Sequence, residues 1–326
     1  MQTLVTGGTG FLGHHVARML LAQGDAVRLM GRDFSAVADV LAAGAMPITM
    51  DLRDAAAVAA ACEGSEIVYH IGAKSEPWGR RADFFAINVG GTAAVIAGCQ
   101  RHAVRRLVYV SSPSVVFDGR DQINATEAVA YPRHFASVYS LTKKLGEDRV
   151  NAARDSLETV ILRPKAIFGP GDRALLPRLI AAARRGRLPQ IGDGRNRVDL
   201  TYVANVAHAL RLAGTAPAAV GHTYTITNDA YPVLWDVIRQ ALAHLGLSTA
   251  LRRVPLGAAL AAAGLLEASS TVTGREPTLT RYSASILGRT QTYDIGAARR
   301  DLGYSPIVSL ADGIARTLAT MEGMGL

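Results

Sequence analysis

Residues 6–13 read Thr6-Gly7-Gly8-Thr9-Gly10-Phe11-Leu12-Gly13. They lie between a short β-branched run at 3–6 and a helical pattern over 11–23, so the glycines fall in a strand–turn–helix. Small residues there let the backbone approach a ligand closely. The helix start adds unpaired amides and the positive end of its dipole, which suits a pyrophosphate. Gly7, Gly10, Phe11, Leu12 and Gly13 are therefore the candidate dinucleotide cradle. A glycine-rich turn without a ligand is the plain alternative, and the strand and helix on either side argue against it.

The same alternation continues downstream. Candidate strands at 26–30, 47–50, 67–71, 107–111 and 159–162 are separated by helical patterns near 54–62, 81–101 and 137–153. This rhythm predicts an α/β fold: a Rossmann-type doubly wound parallel sheet, with ligands at the carboxyl ends of its strands. After Gly169-Pro170-Gly171 the rhythm changes. Helices are expected near 174–185, 203–213, 233–246, 256–267, 294–302 and 309–321, with a further strand at 223–226. We expect a dinucleotide-binding domain over 1–168, with 195–228 returning to it. Segments 169–194 and 229–326 would form a smaller, interleaved, mostly helical substrate domain.

Composition excludes several classes. With 326 residues, 49% hydrophobic, 19% charged and 6% aromatic, the chain fits neither a disordered tail nor a disulfide-rich scaffold. A net charge of +8 raises the question of nucleic acid. The basic residues are nearly all arginines, scattered as singles and pairs such as Arg80-Arg81 and Arg252-Arg253, and no basic run interleaves with aromatics. An arginine-rich solvated surface explains the charge, and no nucleic-acid partner is expected. Cys62 and Cys99 fall in helical patterns and read as reduced, buried thiols. No leader is visible, and the longest apolar run, 255–266, is short of the roughly 20 residues of a membrane span, so a cytoplasmic protein is expected. The histidines show no metal-ligand spacing, and no metal is proposed.

The end of the second strand bears on the cofactor. Preference for NAD would place a carboxylate there for the ribose hydroxyls. This chain has Gly31 and then Arg32, whose guanidinium can pair with a 2′-phosphate. NADP(H) is favoured; Asp33, one residue on, leaves NAD(H) open. Asp51 and Leu52, after the third strand, are placed to meet the adenine, although Asp51 could equally cap the next helix.

Tyr139-Ser140-Leu141-Thr142-Lys143 lies in a helical pattern, so Tyr139 and Lys143 share a face one turn apart. A free phenol titrates near pH ~10, too high for proton transfer near neutrality, and an adjacent ammonium would lower it. Ser112, just past the fifth strand, would reach the sheet's carboxyl edge and share a substrate oxygen with Tyr139.

With these motifs in place, the chain resembles the extended short-chain dehydrogenase/reductase superfamily over nearly its whole length. The matching pieces are TGGTGFLG (6–13), Asp51-Leu52, the helix start Asn88-Val89-Gly90-Gly91-Thr92, SSPSVVFDG (111–119), YSLTK (139–143), LRPKAIFGPGD (162–172) and GDGRNRVDLTYVANV (192–206). It is most similar to the 3β-hydroxysteroid dehydrogenase branch, home of sterol-4α-carboxylate 3-dehydrogenases and bacterial 2-alkyl-3-oxoalkanoate reductases. The resemblance implies Tyr139 as proton donor or acceptor, Lys143 on the nicotinamide ribose, and Ser112 on the carbonyl oxygen. It also implies that the backbone from Pro164 to Ile167 faces the nicotinamide, and that the protein is a homodimer through helices 81–101 and 137–153. The acidic residue usual in NAD-using steroid members is missing.

Sugar-nucleotide chemistry is the alternative on this scaffold. Dehydratases carry Asp-Glu where this chain has Pro113 and Ser114, and sugar-nucleotide enzymes place an asparagine where it has Ala166. Trp78, Phe117, Phe135, Leu175 and Leu176 instead suggest a greasy ketone or secondary alcohol, with Ser114 on the pocket wall; core packing is the ordinary role for each singly. Lys74 and Lys165 could hold a carboxylate, and exposure to solvent is the ordinary expectation for both. The 255–266 segment is expected to be a buried or lid helix, or else a peripheral contact with membrane. A non-catalytic dinucleotide sensor is the remaining alternative, disfavoured because Ser112, Tyr139 and Lys143 are all present.

Overall fold

In the computed structural model, which describes residues 1–76, 78–172 and 176–323, seven strands form one parallel sheet. They are Gln2–Thr6 (β1), Ala26–Gly31 (β2), Met46–Thr49 (β3), Ile67–His70 (β4), Arg106–Val110 (β5), Glu158–Pro164 (β6) and Thr223–Ile226 (β7). Their order across the sheet is β7-β6-β5-β4-β1-β2-β3, and every pairing is parallel. A parallel sheet needs cover on both faces, which is why its central strands are apolar on both sides. Phe11–Ala22 (α1) packs with Val203–Thr215; Ala55–Ala61, Gly91–Arg101 and Val138–Ala152 (α2) form the other packed group. The chain leaves β1 in one direction across the sheet and β4 in the other. The crevice between their carboxyl ends is therefore the topological switch point, where such sheets bind ligands.

The helices Leu176–Arg184, Leu234–His244 and Leu310–Gly323 gather round a small separate cluster of Ile180, Ala241, Leu318 and Met321. Very short parallel pairings stitch distant segments together: Gln122–Ala125 with Gln291–Tyr293, Gln190–Ile191 with Arg253–Val254, and Ile167–Phe168 with Thr201–Tyr202. None of these was expected locally, nor was the Arg281–Gly288 helix.

Three expectations need correction. Asn88 is not at a helix start: it sits in a π-helical turn, Phe85–Gly90, within a helical run that extends from Arg81 to Arg101. Asp51 does not cap the Ala55–Ala61 helix; Asp54 does, accepting from Ala57 N at 3.1 Å. The 255–266 segment is not a buried helix, and the helix that contains it runs further than the apolar stretch. Leu256–Thr273 (α3) is an 18-residue helix with only Ala259, Ala263 and Ser270 buried, and it leaves Leu265 75% exposed. Ala259 and Ala263, one turn apart, are buried with Leu256 and Leu260 half-buried beside them, whereas Leu265, Leu266 and Val272 are left exposed.

Candidate active site

The turn after β1 is built for close approach. Gly7 has φ +65° and Gly13 opens onto its carbonyl: a Cβ on Gly13 would lie 2.2 Å from Gly7 O, and one on Gly7 2.6 Å from Gly72 Cα. A side chain at Gly7 would displace the loop that follows β4, and one at Gly13 the turn's own backbone at Gly7 and Gly8, so the tight turn requires glycine.

Behind the turn, buried polar groups tie the carboxyl ends of β1 and β4 together. Gly72 N donates to Thr6 Oγ1 (3.1 Å), which lies 2.7 Å from His70 Nδ1. His70 Nε2 lies 3.0 Å from Thr92 Oγ1, and that hydroxyl donates to Asn88 O. With its proton committed to Asn88, Thr92 must accept, so His70 carries hydrogen on Nε2 and accepts from Thr6 at Nδ1. Burial holds the ring neutral, its pKa pushed down to about 3. Asn88 continues the network from the π-helical turn, donating to Thr142 Oγ1 and Lys74 O and accepting from Lys74 N. No local pattern marked His70 or this role of Asn88.

A cleft of about 720 Å³ opens at the switch point. Its walls bring together Gly7, Gly10, Phe11, Leu12, Gly13, Arg32, Asp51, Leu52, Lys74, Ser112, Tyr139, Lys143, Pro164 and Ile167. These came from seven separate stretches of sequence. A cleft of this size, running from the glycine turn past the ends of β2 and β3 to β5 and β6, fits an extended dinucleotide. Arg32 is 75% exposed, with Nη1 4.0 Å from Asp51 Oδ2. Arg53 holds Asp51 through paired hydrogen bonds of 2.9 and 2.7 Å, which, against some burial, lower its pKa to about 2. Asp33 is turned onto Ser35 N at 2.9 Å and is not part of the cleft wall.

α2 begins at a capping box, Ser137 with Ser140, and so presents Tyr139 and Lys143 one turn apart. Ser112 reaches them from the end of β5, where its hydroxyl also accepts from Ser114 N (3.2 Å). The electrostatics differ from expectation. Burial raises the Tyr139 pKa, the nearby Tyr282 raises it further, and only the hydrogen bond with Ser112 lowers it. Lys143 does not depress it. Its own ammonium is desolvated to a pKa of about 7, partly offset by Glu147, and rests 4.0 Å from the centre of the Tyr109 ring. Both groups are thus held toward their neutral forms, because burial outweighs the Ser112 hydrogen bond on the phenol and the Glu147 charge on the ammonium.

This makes a stability prediction. Unfolded, Lys143 titrates at 10.5; folded, at about 7. Between those values the unfolded chain binds the extra proton, so this group's contribution to stability rises with pH across that window. A Lys143→Met protein without cofactor should gain Tm on wild type below pH 7, and the gap should close toward pH 10. A gap independent of pH in thermal melts would contradict the buried, neutral lysine.

α2 is anchored to β6 by a buried pair. Arg163 Nε and Nη2 donate to Glu147 Oε1 and Oε2 at 2.8 and 2.7 Å, and Tyr131 OH donates to the same carboxylate at 2.6 Å.

The expected substrate residues scatter. Phe117 is core, 1% exposed, its ring edge-on to Tyr282 at 6.3 Å. Trp78 and Phe135 are half-buried on loops and do not line the cleft. Ser114 is buried beside Tyr282 rather than on the cleft wall. Leu176 lines a second cavity, of about 70 Å³, with Ala166, Leu179, Leu234 and Ile314. Leu175 lies outside the described residues. Lys74 is on the cleft wall and pairs with Glu76 at 3.2 Å. Lys165 is not solvent-exposed as expected: it is 7% exposed, because the distant Gln291–Tyr293 strand covers it.

The comparisons with known proteins agree with this geometry. The profile of the 3-beta hydroxysteroid dehydrogenase/isomerase family matches residues 4–256. A 2-alkyl-3-oxoalkanoate reductase of Stenotrophomonas maltophilia is 39% identical over 329 residues, covering 98% of this chain and 99% of the relative. A decarboxylating sterol-4-alpha-carboxylate 3-dehydrogenase of Schizosaccharomyces pombe is 33% identical over 335 residues, covering 99% and 98%. Among solved structures, a dTDP-glucose 4,6-dehydratase double mutant from Streptomyces venezuelae, with NAD and DAU bound, superposes with a TM-score of 0.78 at 25% identity. It covers 99% of this chain and 97% of that one. A Rossmann cradle, a Ser-Tyr-Lys set at the switch point and relatives matched from end to end give one conclusion: the chain belongs to the 3-beta hydroxysteroid dehydrogenase/isomerase family, an oxidoreductase that interconverts an alcohol and a ketone with a nicotinamide dinucleotide.

Proposed function

We propose that this protein is an NADP(H)-linked oxidoreductase whose substrate is a hydrophobic 2-alkyl-3-oxo acid or its 3-hydroxy counterpart. The observation that carries the reading is the meeting of Ser112, Tyr139 and Lys143 at the inner end of a dinucleotide-sized cleft, beside a cavity lined chiefly by apolar side chains. Sterol-like substrates share the apolar requirement. Ala166 in place of an amide, and Pro113-Ser114 in place of two acids, weigh against sugar nucleotides.

When bound, the dinucleotide supplies the hydride or accepts it. The glycine turn would hold the pyrophosphate, Arg32 the 2′-phosphate, Lys143 the nicotinamide ribose and the 164–167 backbone the carboxamide. Ser112 orients the substrate oxygen by hydrogen bonding. Tyr139 passes its phenolic proton to that oxygen in reduction and takes it back in oxidation. Burial keeps the phenol in its protonated form in the free chain, and the same group serves either direction of the reaction. The buried Thr6–His70–Thr92–Asn88 network keeps the cleft's edges in register.

Two further features accompany this reading. The outward apolar side chains of α3 support peripheral contact with a lipid surface from which a greasy substrate could arrive. The free, buried Cys62 and Cys99 suit a reducing cytoplasm. Dimerisation through the 81–101 and 138–152 helices is proposed from family resemblance.

The cofactor choice is tested by binding and turnover. Wild type should prefer NADPH, and Arg32→Asp should lose about 10- to 100-fold of NADPH affinity while NADH binding holds or improves. An unaltered ratio would remove Arg32 from the phosphate site. Turnover of sugar nucleotides but not of 2-alkyl-3-hydroxy acids would overturn the substrate reading.

A further inference from the structure

Lys165 follows the nicotinamide-facing Pro164, yet the dinucleotide cradle does not use it. Its stem walls the apolar cavity together with Ala166 and Asp199. Its ammonium turns away from solvent, donates to Gln291 Oε1 at 2.5 Å and stands 5.8 Å from the centre of the Tyr293 ring. Tyr293 in turn neighbours Tyr282, and Tyr282 neighbours Tyr139. The ammonium thus lies between the apolar cavity and a group of tyrosines, Tyr293 and Tyr282, that extends electrostatically to Tyr139.

Burying an ammonium is costly unless an anion meets it, and methionine or leucine would wall an apolar cavity better. Among the described residues, however, Lys165 has no ion pair, and its only side-chain hydrogen bond is to the neutral Gln291. The surroundings are similarly incomplete. Gln291 Nε2 is buried with no hydrogen-bond partner among the described residues, and so is Asp199 Oδ1 on a residue that is 0% exposed. Native proteins rarely leave so many adjacent buried polar atoms without partners, and an unfilled ligand position is one accepted reason. Asp199 attracts the ammonium, but burial pushes its own pKa up to about 7 and its Oδ2 is already taken by Tyr293 N, so it answers the charge only in part. What remains is an excess of donors facing a shortage of acceptors.

Resting on the substrate class proposed above, we infer that Lys165 and Gln291 form a carboxylate subsite that reads the acid group of the substrate. The cavity beyond would take the alkyl chain, and Ser112 with Tyr139 the oxygen being reduced or oxidised. The ammonium supplies charge and the Gln291 amide a second hydrogen bond, a pairing that a neutral ketone cannot use.

The test compares a 2-alkyl-3-hydroxy acid with its methyl ester, both followed with NADP⁺. Wild type should favour the acid in kcat/KM, and Lys165→Met should cut the acid-to-ester selectivity ratio by about 10- to 100-fold, chiefly through KM for the acid. Because Lys165→Met could also fold poorly, Gln291→Glu provides a second arm. A carboxylate at 291 would claim the ammonium and repel the substrate, so the ratio should fall in the same direction. Lys165→Arg, which keeps the charge, should retain a preference for the acid. If wild type shows no preference for the acid, or the ratio is unmoved in both Lys165→Met and Gln291→Glu, the subsite is overturned while the substrate class stands. If wild type turns over neither acid nor ester, both the substrate class and the subsite fall.

Discussion

A Tyr139→Phe enzyme is expected to lose about 10²–10⁴-fold of kcat, the usual contribution of a positioned general acid or base. The loss should sit in the chemical step, since phenylalanine fills the same space on α2 and leaves the capping box, Ser112 and the glycine turn in place. Dinucleotide binding, followed by fluorescence, separates the two effects: binding kept with turnover lost assigns the proton to Tyr139. Full turnover in the variant would exclude the phenol as the proton carrier and reopen the reading of a dinucleotide-binding protein without this chemistry.

Glu147→Ala is expected to destabilise the fold by about 3–5 kcal/mol, the range for removing one partner of a buried ion pair. Glu147 is fully buried and Arg163 has a side chain only 5% exposed, with two hydrogen bonds between them. The variant would leave the guanidinium buried with Tyr131 as its remaining side-chain partner in this group. Urea titration reads the change as a lower midpoint at constant slope. Replacing both partners at once, with Glu147→Leu and Arg163→Met, should restore much of the loss, because no charge is then stranded. A small effect of Glu147→Ala would mean that water reaches the pair. The same pair locks α2 to β6, so this variant also tests whether Tyr139 and Lys143 depend on that anchor for their position.

Most elements of the dinucleotide half were legible because their signals are local. Six short β-branched runs alternating with helical periods allow little besides a parallel sheet, and a glycine turn directly after the first run locates the ligand edge. The observed strand order has β1 between β4 and β2, as that reading requires. Later elements were harder to see. Gln122–Ala125 is a strand because Gln291–Tyr293 lies against it, and neither segment carries the signal alone. The π-helical turn at Phe85–Gly90 likewise has no local signature; it places Asn88, where its amide bonds to both Lys74 and Thr142.

The candidate site divides along the same line. Thr6–Gly13, Ser112 and the Tyr139–Lys143 spacing could be read residue by residue, since each requires a particular side chain at a particular offset. Ionisation could not. The helical spacing suggested that Lys143 would lower the tyrosine's pKa, whereas burial by neighbouring elements raises the phenol and lowers the ammonium. Burial depends on what packs on top of a residue, and neither spacing nor composition contains that. Lys165 is the sharpest case. One charged residue among apolar neighbours reads as exposed, and only a strand more than a hundred residues away encloses it.

By itself, then, the sequence determined the sheet, its ligand edge and the Ser112, Tyr139 and Lys143 set that meets there, because short-range geometry and hydrophobic period carry that information. The tertiary structure alone decided which charges are buried, which aspartate is committed elsewhere and which lysine is enclosed beside an apolar cavity. Those properties arise from contacts between segments far apart in the chain, where desolvation rather than local propensity sets the energy.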